Sequence, residues 1–400
     1  MKLKKTYPYF DKLHNWKLFD WTLRFTNLKQ LSFIGGADVI GNGITAIFWF
    51  FLASQISPDE YGQIFYFIGI ASIAGAFVIV GAQNSILVYS AKNIKIESTL
   101  YFLSLIFAVV ASFIIMIIFY KIDVIFLVFG YVVNTLALGQ LLGKKLFSSY
   151  SKFSLIQKIL TFGLGILFLL VFGAEGIIFA LALSYICFIV VAYKTFRNTK
   201  INFSLLKDRT KFIFNNYVIE VLTKLNAHVN KFLIVPILGF GVLGEFSLAL
   251  QLVNVGMIFT LIIFKFTLPG DSQGEENRKL KKYTIFISIA ISILGFFVAP
   301  LIIPVFFPEY SQIVDAVKII SFCIIPMTFT KIFTSRLLGQ ENNRRVLYSK
   351  IVAIITFLVI IIVFSSEYGL IALAVGYLLS SILETLCLIT KSNSGKIQSI

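Results

Sequence analysis

The sequence predicts an all-α integral membrane protein in which twelve transmembrane helices form two six-helix lobes around a central cavity. Two observations support this prediction. Hydrophobic residues make up 58% of the 400-residue chain, with a mean hydropathy of +0.90, and they fall into apolar stretches of about twenty residues, enough to cross roughly 30 Å of hydrocarbon. The links between these stretches also alternate in charge along the chain.

Positive charge lies almost entirely on one side of the predicted membrane. When the N-terminal tail counts as the first link and six residues of each flanking span are included, one set of links holds 31 of the 35 Lys and Arg residues. Cytoplasmic loops retain Lys and Arg, so these links, and with them both termini, are predicted to be cytoplasmic. The opposite set holds Lys121 and eight acidic residues: Asp59, Glu60, Asp123, Glu175, Glu245, Glu309, Asp315 and Glu367.

The predicted spans divide the chain into four parts. These are a cytoplasmic N-terminal segment (1–30), an N-lobe (31–200), a C-lobe (201–390) and a cytoplasmic tail (391–400). In the first part, residues 10–26 carry apolar residues at helical spacing, which favours a helix in the inner interface over a solvated tail. The twelve spans are 31–55, 62–89, 99–120, 123–143, 153–173, 175–194, 212–238, 244–268, 283–306, 312–336, 346–365 and 368–390.

The two halves of the chain resemble each other. A short turn with a Gly opens the second span of each half, at Gly62 and Gly244, and LLGKK at 141–145 matches LLGQE at 337–341. Because each half has an even number of spans, both keep the same orientation. The repeat is therefore parallel, related by a pseudo-two-fold axis along the membrane normal, and a binding site is expected between the halves.

Composition and motifs argue against several functional classes. The net charge of +16 is spread over seven cytoplasmic segments, so we interpret it as a topological signal and a contact with membrane lipids, and we predict no nucleic-acid partner. All three Cys residues lie in apolar stretches, so no disulfide framework or metal cluster is predicted. The sequence shows no phosphate-binding loop, metal-ligand spacing or nucleophile elbow. We therefore predict no enzymatic activity, no metal and no cofactor.

The seventh span carries the strongest set of polar residues. Asn216, Glu220, Lys224, His228 and Lys231 recur every three or four residues and so share one helix face. Such a stripe is costly in lipid and is expected to face another helix or water. Glu220 and Lys224 are spaced to pair, and His228 and Lys231 could contact an anionic ligand. The alternative is a structural polar network between helices.

The first span is the counterpart of the seventh in the other half. Asp38, Asn42 and Thr45 share one face of a glycine-rich segment. An isolated carboxylate inside a membrane is a candidate proton or Na⁺ site, and Asp38 is equally a candidate partner for Lys224 or Lys231. Glu220 is the second candidate for ion coupling. Gln251 and Asn254 in the eighth span are further candidates for lining the cavity.

Four segments resemble, in the same order, parts of a known protein family. The turn Pro58–Asp59–Glu60–Tyr61–Gly62 is similar to the P-E-x-Y-G turn of the bacterial polysaccharide-biosynthesis (Wzx-type) flippases, with Asp in place of the first Glu. The other three are GFGVLGEFSLALQLVN, FFPEYSQIVDAVKII and LLGQENNRRVLYSKIV. The resemblance covers nearly the whole chain after residue 30.

This resemblance implies a place in the superfamily that also contains multidrug exporters, with two six-helix lobes around a V-shaped cavity. It implies a flippase of the bacterial inner membrane that moves undecaprenyl-pyrophosphate-linked oligosaccharide units by alternating access, for O-antigen or capsule assembly. The expected partners are that lipid-linked substrate, membrane lipids and other membrane proteins of polysaccharide assembly. The alternative is a cation-coupled multidrug exporter. Cationic residues in the cavity suit an anionic substrate better than a cationic drug.

Overall fold

The described protein is helical throughout. The computed structural model describes residues 35–272, 278–339 and 343–389, and within these ranges there is no β-strand. The prediction of an all-α membrane protein is therefore confirmed for this part of the chain. The predicted N-terminal segment with its interfacial helix, and the predicted tail at 391–400, lie outside the described residues.

Fourteen α-helices are described, with three short 3₁₀ turns at 173–176, 186–188 and 308–313. In chain order they are α1 (Gly35–Ala53), α2 (Pro58–Val78), α3 (Ala82–Ala91), α4 (Glu97–Phe119), α5 (Ile122–Gly143), α6 (Phe147–Phe172), α7 (Ile177–Ser184), α8 (Ile189–Asn198), α9 (Ser204–Lys207), α10 (Thr210–Ser272), α11 (Arg278–Phe306), α12 (Val314–Ser321), α13 (Ile324–Gly339) and α14 (Asn343–Ile389).

Many of these helices are long enough to span a membrane. In the described ranges, eight helical segments are long and apolar enough to cross a membrane, or nine if the pair Pro308–Ser321 and Ile324–Leu337, bent by 42°, is one span. Three of the eight are far longer than one crossing needs: Phe147–Asn198, Thr210–Ile263 and Arg344–Ile389 have 52, 54 and 46 residues. At 1.5 Å per residue the shortest of them would measure about 69 Å. The chain is therefore a multi-pass membrane protein.

Glycines with positive φ mark the breaks in the longest helices. Gly239 (φ 86°, ψ 175°) interrupts α10, and Gly369 (φ 49°, ψ −126°) interrupts α14. Side chains with a Cβ rarely adopt such angles, so these two positions require glycine. A third break, at Gly81 (φ 83°), separates α2 from α3. The sequence predicted one uninterrupted span at 62–89, and the left-handed conformation of Gly81 explains the difference.

The turn Pro58–Gly62 begins α2 and joins it to the core. Ser57 caps the helix, because its Oγ accepts from the Glu60 N–H while Glu60 Oε2 accepts from the Ser57 N–H at 2.9 Å. Pro58 occupies the first helical position, where its missing N–H costs nothing. Tyr61 is fully buried, and its ring meets that of Tyr310 edge-on at 6.0 Å. The motif therefore has a structural explanation in capping and packing.

Helix α2 packs along α10 over its whole length. At the Pro58 end, the backbones touch: a Cβ on Gly62 would lie 1.9 Å from the Phe240 carbonyl oxygen, and one on Gly244 would lie 1.9 Å from the Pro58 carbonyl oxygen. At the other end, the Tyr217 hydroxyl donates to the Phe77 carbonyl oxygen at 3.0 Å. The two glycines that the internal repeat equates thus contact each other across the seam between the halves.

Candidate transport cavities

The polar stripe on α10 is divided between two cavities. Glu220 and Lys224 line a cavity of about 210 Å³ that also involves α2 and α5, which we call the polar cavity. One to two turns further along, His228 and Lys231 line a cavity of about 540 Å³, which we call the basic cavity. The stripe therefore connects two separate polar spaces along one helix, where the sequence predicted a single cavity-facing surface.

The basic cavity is formed by α10, α13 and α14, with Phe65 of α2 at its edge. Gln251 and Asn254, two of the predicted candidates, line it from the second part of α10. Among the described residues that line it, basic side chains outnumber acidic ones. The ionisable residues are Lys231, Lys331, Lys350, His228 and one acidic residue, Glu384.

Glu384 does not neutralise this cavity. The shortest distance from Lys350 Nζ to Glu384 Oε1 is 3.9 Å, beyond the range of a charge-assisted hydrogen bond. Lys331 lies in the same group and interacts electrostatically with both residues. Three lysine side chains and one glutamate therefore share a pocket partly shielded from water. In such a pocket a protonated lysine attracts an anion more strongly than it would in bulk water.

Lys231 contacts α2 across the seam between the two halves of the chain. It is 7% exposed, and its Nζ donates to the Phe65 carbonyl oxygen of α2 at 3.0 Å while lying 5.0 Å from the centre of the Phe65 ring. Its stem packs over Gly69, where an added Cβ would lie 3.1 Å from the Lys231 Cδ. The ammonium thus reaches the basic cavity from the seam between α2 and α10.

His228 lines the same cavity, and one of its ring nitrogens lacks a hydrogen-bond partner among the described residues. This nitrogen is Nδ1, and it is buried. A buried polar atom without a partner costs free energy, and a bound ligand or water can supply the missing bond. His228 is therefore a candidate ligand contact.

The polar cavity brings Glu220 and Lys224 beside hydroxyl and amide groups. Its lining includes Ser72, Tyr131 and Asn134. Glu220 and Lys224 are spaced to pair, but the ion pairs found among the described residues do not include this one. Both side chains line the cavity, where water can solvate each charge separately. The volume corresponds to about seven waters at liquid density.

The three remaining candidates lie elsewhere. Asp38 lies beside the Tyr150 hydroxyl and the Lys158 side chain of α6. Asn42 is exposed, and Asn216 donates from Nδ2 to the Phe212 carbonyl oxygen at 2.9 Å. Neither the polar nor the basic cavity is lined by these residues.

Sequence reasoning missed the Lys331–Lys350–Glu384 group. Lys331 and Lys350 lie near span ends and were counted with the topological positive charge, and Glu384 has no charged neighbour in sequence. The structure brings them together from α13 and the two parts of α14. An acidic residue within the last apolar span was the one available signal. In the described ranges, no three His, Cys, Asp or Glu side chains converge as metal ligands would.

Comparison with known proteins rests on structure alone. No protein-family profile matches the chain, and no curated protein does. An inward-facing multidrug resistance MATE family transporter of the MOP superfamily matches with TM-score 0.63 and 15% identity, over 87% of this chain and 92% of that one. An outward-facing multidrug resistance MATE family transporter of the MOP superfamily matches with TM-score 0.60 and 16% identity, over 90% of this chain and 93% of that one. The chain has the fold of the MOP superfamily transporters.

A third match is to a MOP superfamily transporter from Pyrococcus furiosus Vc1, described by the reverse polarity of its binding pocket, which suggests a different function for that protein. It has TM-score 0.63 and 17% identity and covers 90% of this chain and 93% of that one. At these identities the likeness establishes the fold and not the substrate. The MOP superfamily fold and a multi-pass membrane protein are what the comparisons support.

Proposed function

We propose that this chain is an alternating-access transporter whose substrate presents an anionic group to the basic cavity. The MOP fold supports transport, because the similar solved structures are transporters captured facing inward and outward. The observation that supports an anionic substrate is the excess of Lys over Glu in the lining of the basic cavity. No step of this function needs a chemical reaction on the substrate.

Twelve membrane passes are part of this proposal. The breaks at Gly239 and Gly369 divide α10 and α14, each long enough for two crossings, and the 3₁₀ turn at 173–176 divides the segment 147–198 in the same way. Counting the bent pair at 308–337 as one pass and α2 with α3 as another gives twelve. The N-lobe (31–200) and C-lobe (201–390) would then rock about the α2–α10 seam.

The proposed location is a bacterial inner membrane with both termini in the cytoplasm. In a background without the three native Cys, we expect a membrane-impermeant thiol reagent added from outside to label Ser54→Cys and Ser366→Cys but not Ser148→Cys. All three parent residues are exposed, so differences report the side of the membrane. Labelling of only Ser148→Cys would show that the orientation in the membrane is the opposite of the proposed one.

Within the anionic class, we propose an undecaprenyl-pyrophosphate-linked oligosaccharide as the substrate. The pyrophosphate would meet Lys231, Lys331 and Lys350, while the sugar occupies the wet space between the lobes and the lipid tail stays in the bilayer. Na⁺ or H⁺ coupling through Asp38 or Glu220, and contact with other membrane proteins of polysaccharide assembly, belong to the same proposal.

The second candidate is a cation-coupled multidrug exporter. Fold similarity to the solved structures favours this candidate over the flippase. Two of the three matches above are structures of a multidrug resistance MATE family transporter. The observation that opposes this candidate is the positive charge of the basic cavity, because a cationic drug would be repelled by three ammonium groups.

Deleting the gene separates the two candidates. A flippase predicts loss of surface polysaccharide, restored by a plasmid-borne copy, with unchanged resistance to cationic dyes. An exporter predicts intact surface polysaccharide and new sensitivity to those dyes. Intact polysaccharide together with unchanged dye resistance would contradict both substrate assignments.

A further inference from the structure

A third space in the molecule belongs to neither transport cavity. A groove of about 540 Å³ lies between the end of α2, α4 and the start of α10, and we call it the lateral groove. Its walls are apolar and accessible: Phe77, Phe107 and Phe214 are 50%, 47% and 62% exposed. The groove is lined from both sides of the link at 199–209, so it straddles the seam between the two halves.

The break between α2 and α3 forms part of the groove lining, and two of the backbone polar groups near it have hydrogen-bond partners. The Val80 N–H donates to Ser104 Oγ at 2.9 Å, and the Phe77 carbonyl oxygen accepts from the Tyr217 hydroxyl at 3.0 Å. Gly81 fits against α10 so closely that a Cβ would lie 2.9 Å from the Ile213 Cγ2. Non-helical backbone whose polar groups are hydrogen-bonded in this way can persist at membrane depth. The apolar lining of the groove can then accommodate a hydrocarbon chain.

Basic residues are adjacent in sequence to two lining residues of the groove. Lys207 follows Leu206 and Lys211 follows Thr210, and both lysines are exposed. Arg209 lies between them, with its guanidinium 5.8 Å from the centre of the Tyr89 ring and Nη1 donating to the Leu205 carbonyl oxygen. With Asp208 as the acidic residue in this stretch, the rim carries a net positive charge.

We propose that the lateral groove binds an anionic glycerophospholipid. One acyl chain lies along the aromatic walls, and the phosphate-bearing head group lies between Lys207 and Lys211. A basic rim next to an apolar channel matches a lipid with a negative head group better than a zwitterionic one. Such a lipid would contact α2, α4 and α10 together and so bridge the seam between the halves. This proposal requires membrane embedding and does not depend on the transported substrate.

The test uses the full chain in lipid nanodiscs with two photoactivatable probes that carry a diazirine in one acyl chain, phosphatidylglycerol and phosphatidylcholine. We expect phosphatidylglycerol to label peptides containing Phe77 and Phe214 more than phosphatidylcholine does. Lys207→Gln/Lys211→Gln should reduce this preference at least about fivefold, the factor that corresponds to one Lys beside an anionic lipid. The matched control Lys194→Gln/Lys200→Gln removes two exposed charges that are not adjacent in sequence to any lining residue of the groove and should keep the preference.

A second variant tests the apolar part of the site. Thr210→Trp places a large ring at an exposed lining position and should reduce labelling of the groove by both probes, without changing the thermal stability of the protein. Equal labelling of the groove by the two probes, or the same loss of preference in the control, would each overturn the proposal.

Discussion

An alanine at Gly62 is expected to force the Pro58 end of α2 away from α10. Its Cβ would lie 1.9 Å from the Phe240 carbonyl oxygen and 2.9 Å from the Gly244 nitrogen. A carbon and an oxygen do not approach closer than about 3.3 Å, so the two backbones must separate by about 1.4 Å. Neither atom belongs to a flexible side chain that could move aside. We expect this conformation to lose roughly 3 kcal/mol or more, at the upper end for overpacked sites.

Two measurements distinguish opening from unfolding. In a transporter that alternates, Gly62→Ala should populate the conformation in which this end of the seam is open, so a Cys at the buried position Glu245 should react several-fold faster with a thiol reagent. The melting temperature in detergent should fall. Gly244→Ala should behave in the same way, because its Cβ would meet the Pro58 carbonyl oxygen at 1.9 Å.

Gly163→Ala is the matched control. Gly163 lies inside α6, and nothing lies within 4 Å of where its Cβ would be. Alanine is favoured over glycine in a helix by roughly 0.5–1 kcal/mol, so this variant should melt at the same temperature as the parent or slightly higher. If Gly62→Ala and Gly163→Ala gave the same melting temperature and the same labelling rate, the tight contact between α2 and α10 would not exist in the membrane.

Local sequence signals predicted the helices well because each signal acts within a few residues. The length of the apolar stretches predicted membrane-spanning helices. The segment 58–62, predicted as a turn before a span at 62–89, is instead the first part of α2. Gly81 was a second exception: its left-handed conformation breaks the predicted span 62–89, and a lone glycine within an apolar run does not reveal its φ. The bend of 42° within 308–337 likewise depends on packing between helices.

The cavities were harder to predict because they depend on distant contacts. Spacing placed Glu220, Lys224, His228 and Lys231 on one helix face, but periodicity does not show that neighbouring helices divide this face into two spaces. Glu384 and Lys350 are 34 residues apart in sequence, and the break at Gly369 separates them. Only the tertiary fold turns two unremarkable span-end residues into part of a charged pocket.

The second large expected effect is a change in ligand affinity when a charge of the basic cavity is removed. Whether the affinity for an anionic probe falls or rises decides the substrate class. With purified protein, Lys350→Gln should weaken binding of farnesyl pyrophosphate, an isoprenoid pyrophosphate probe, by about tenfold or more, since a hydrogen bond to a charged group contributes about 1.5–3 kcal/mol. Glu384→Gln should strengthen the same binding, because it removes the carboxylate that lies 3.9 Å from Lys350 Nζ. Ethidium, a cationic probe, should bind weakly to the parent protein.

A drug exporter would show the opposite signs. Ethidium would bind the parent well, Glu384→Gln would abolish that binding, and Lys350→Gln would strengthen it or leave it unchanged. Lys318→Gln serves as the control: Lys318 pairs with Asp315 at 2.8 Å on α12, does not line the basic cavity, and should leave both affinities unchanged. Two variants of one ion pair with opposite effects on one probe cannot result from general destabilisation, which would weaken binding in both. If neither variant changed the affinity for either probe, the basic cavity would have no part in substrate binding.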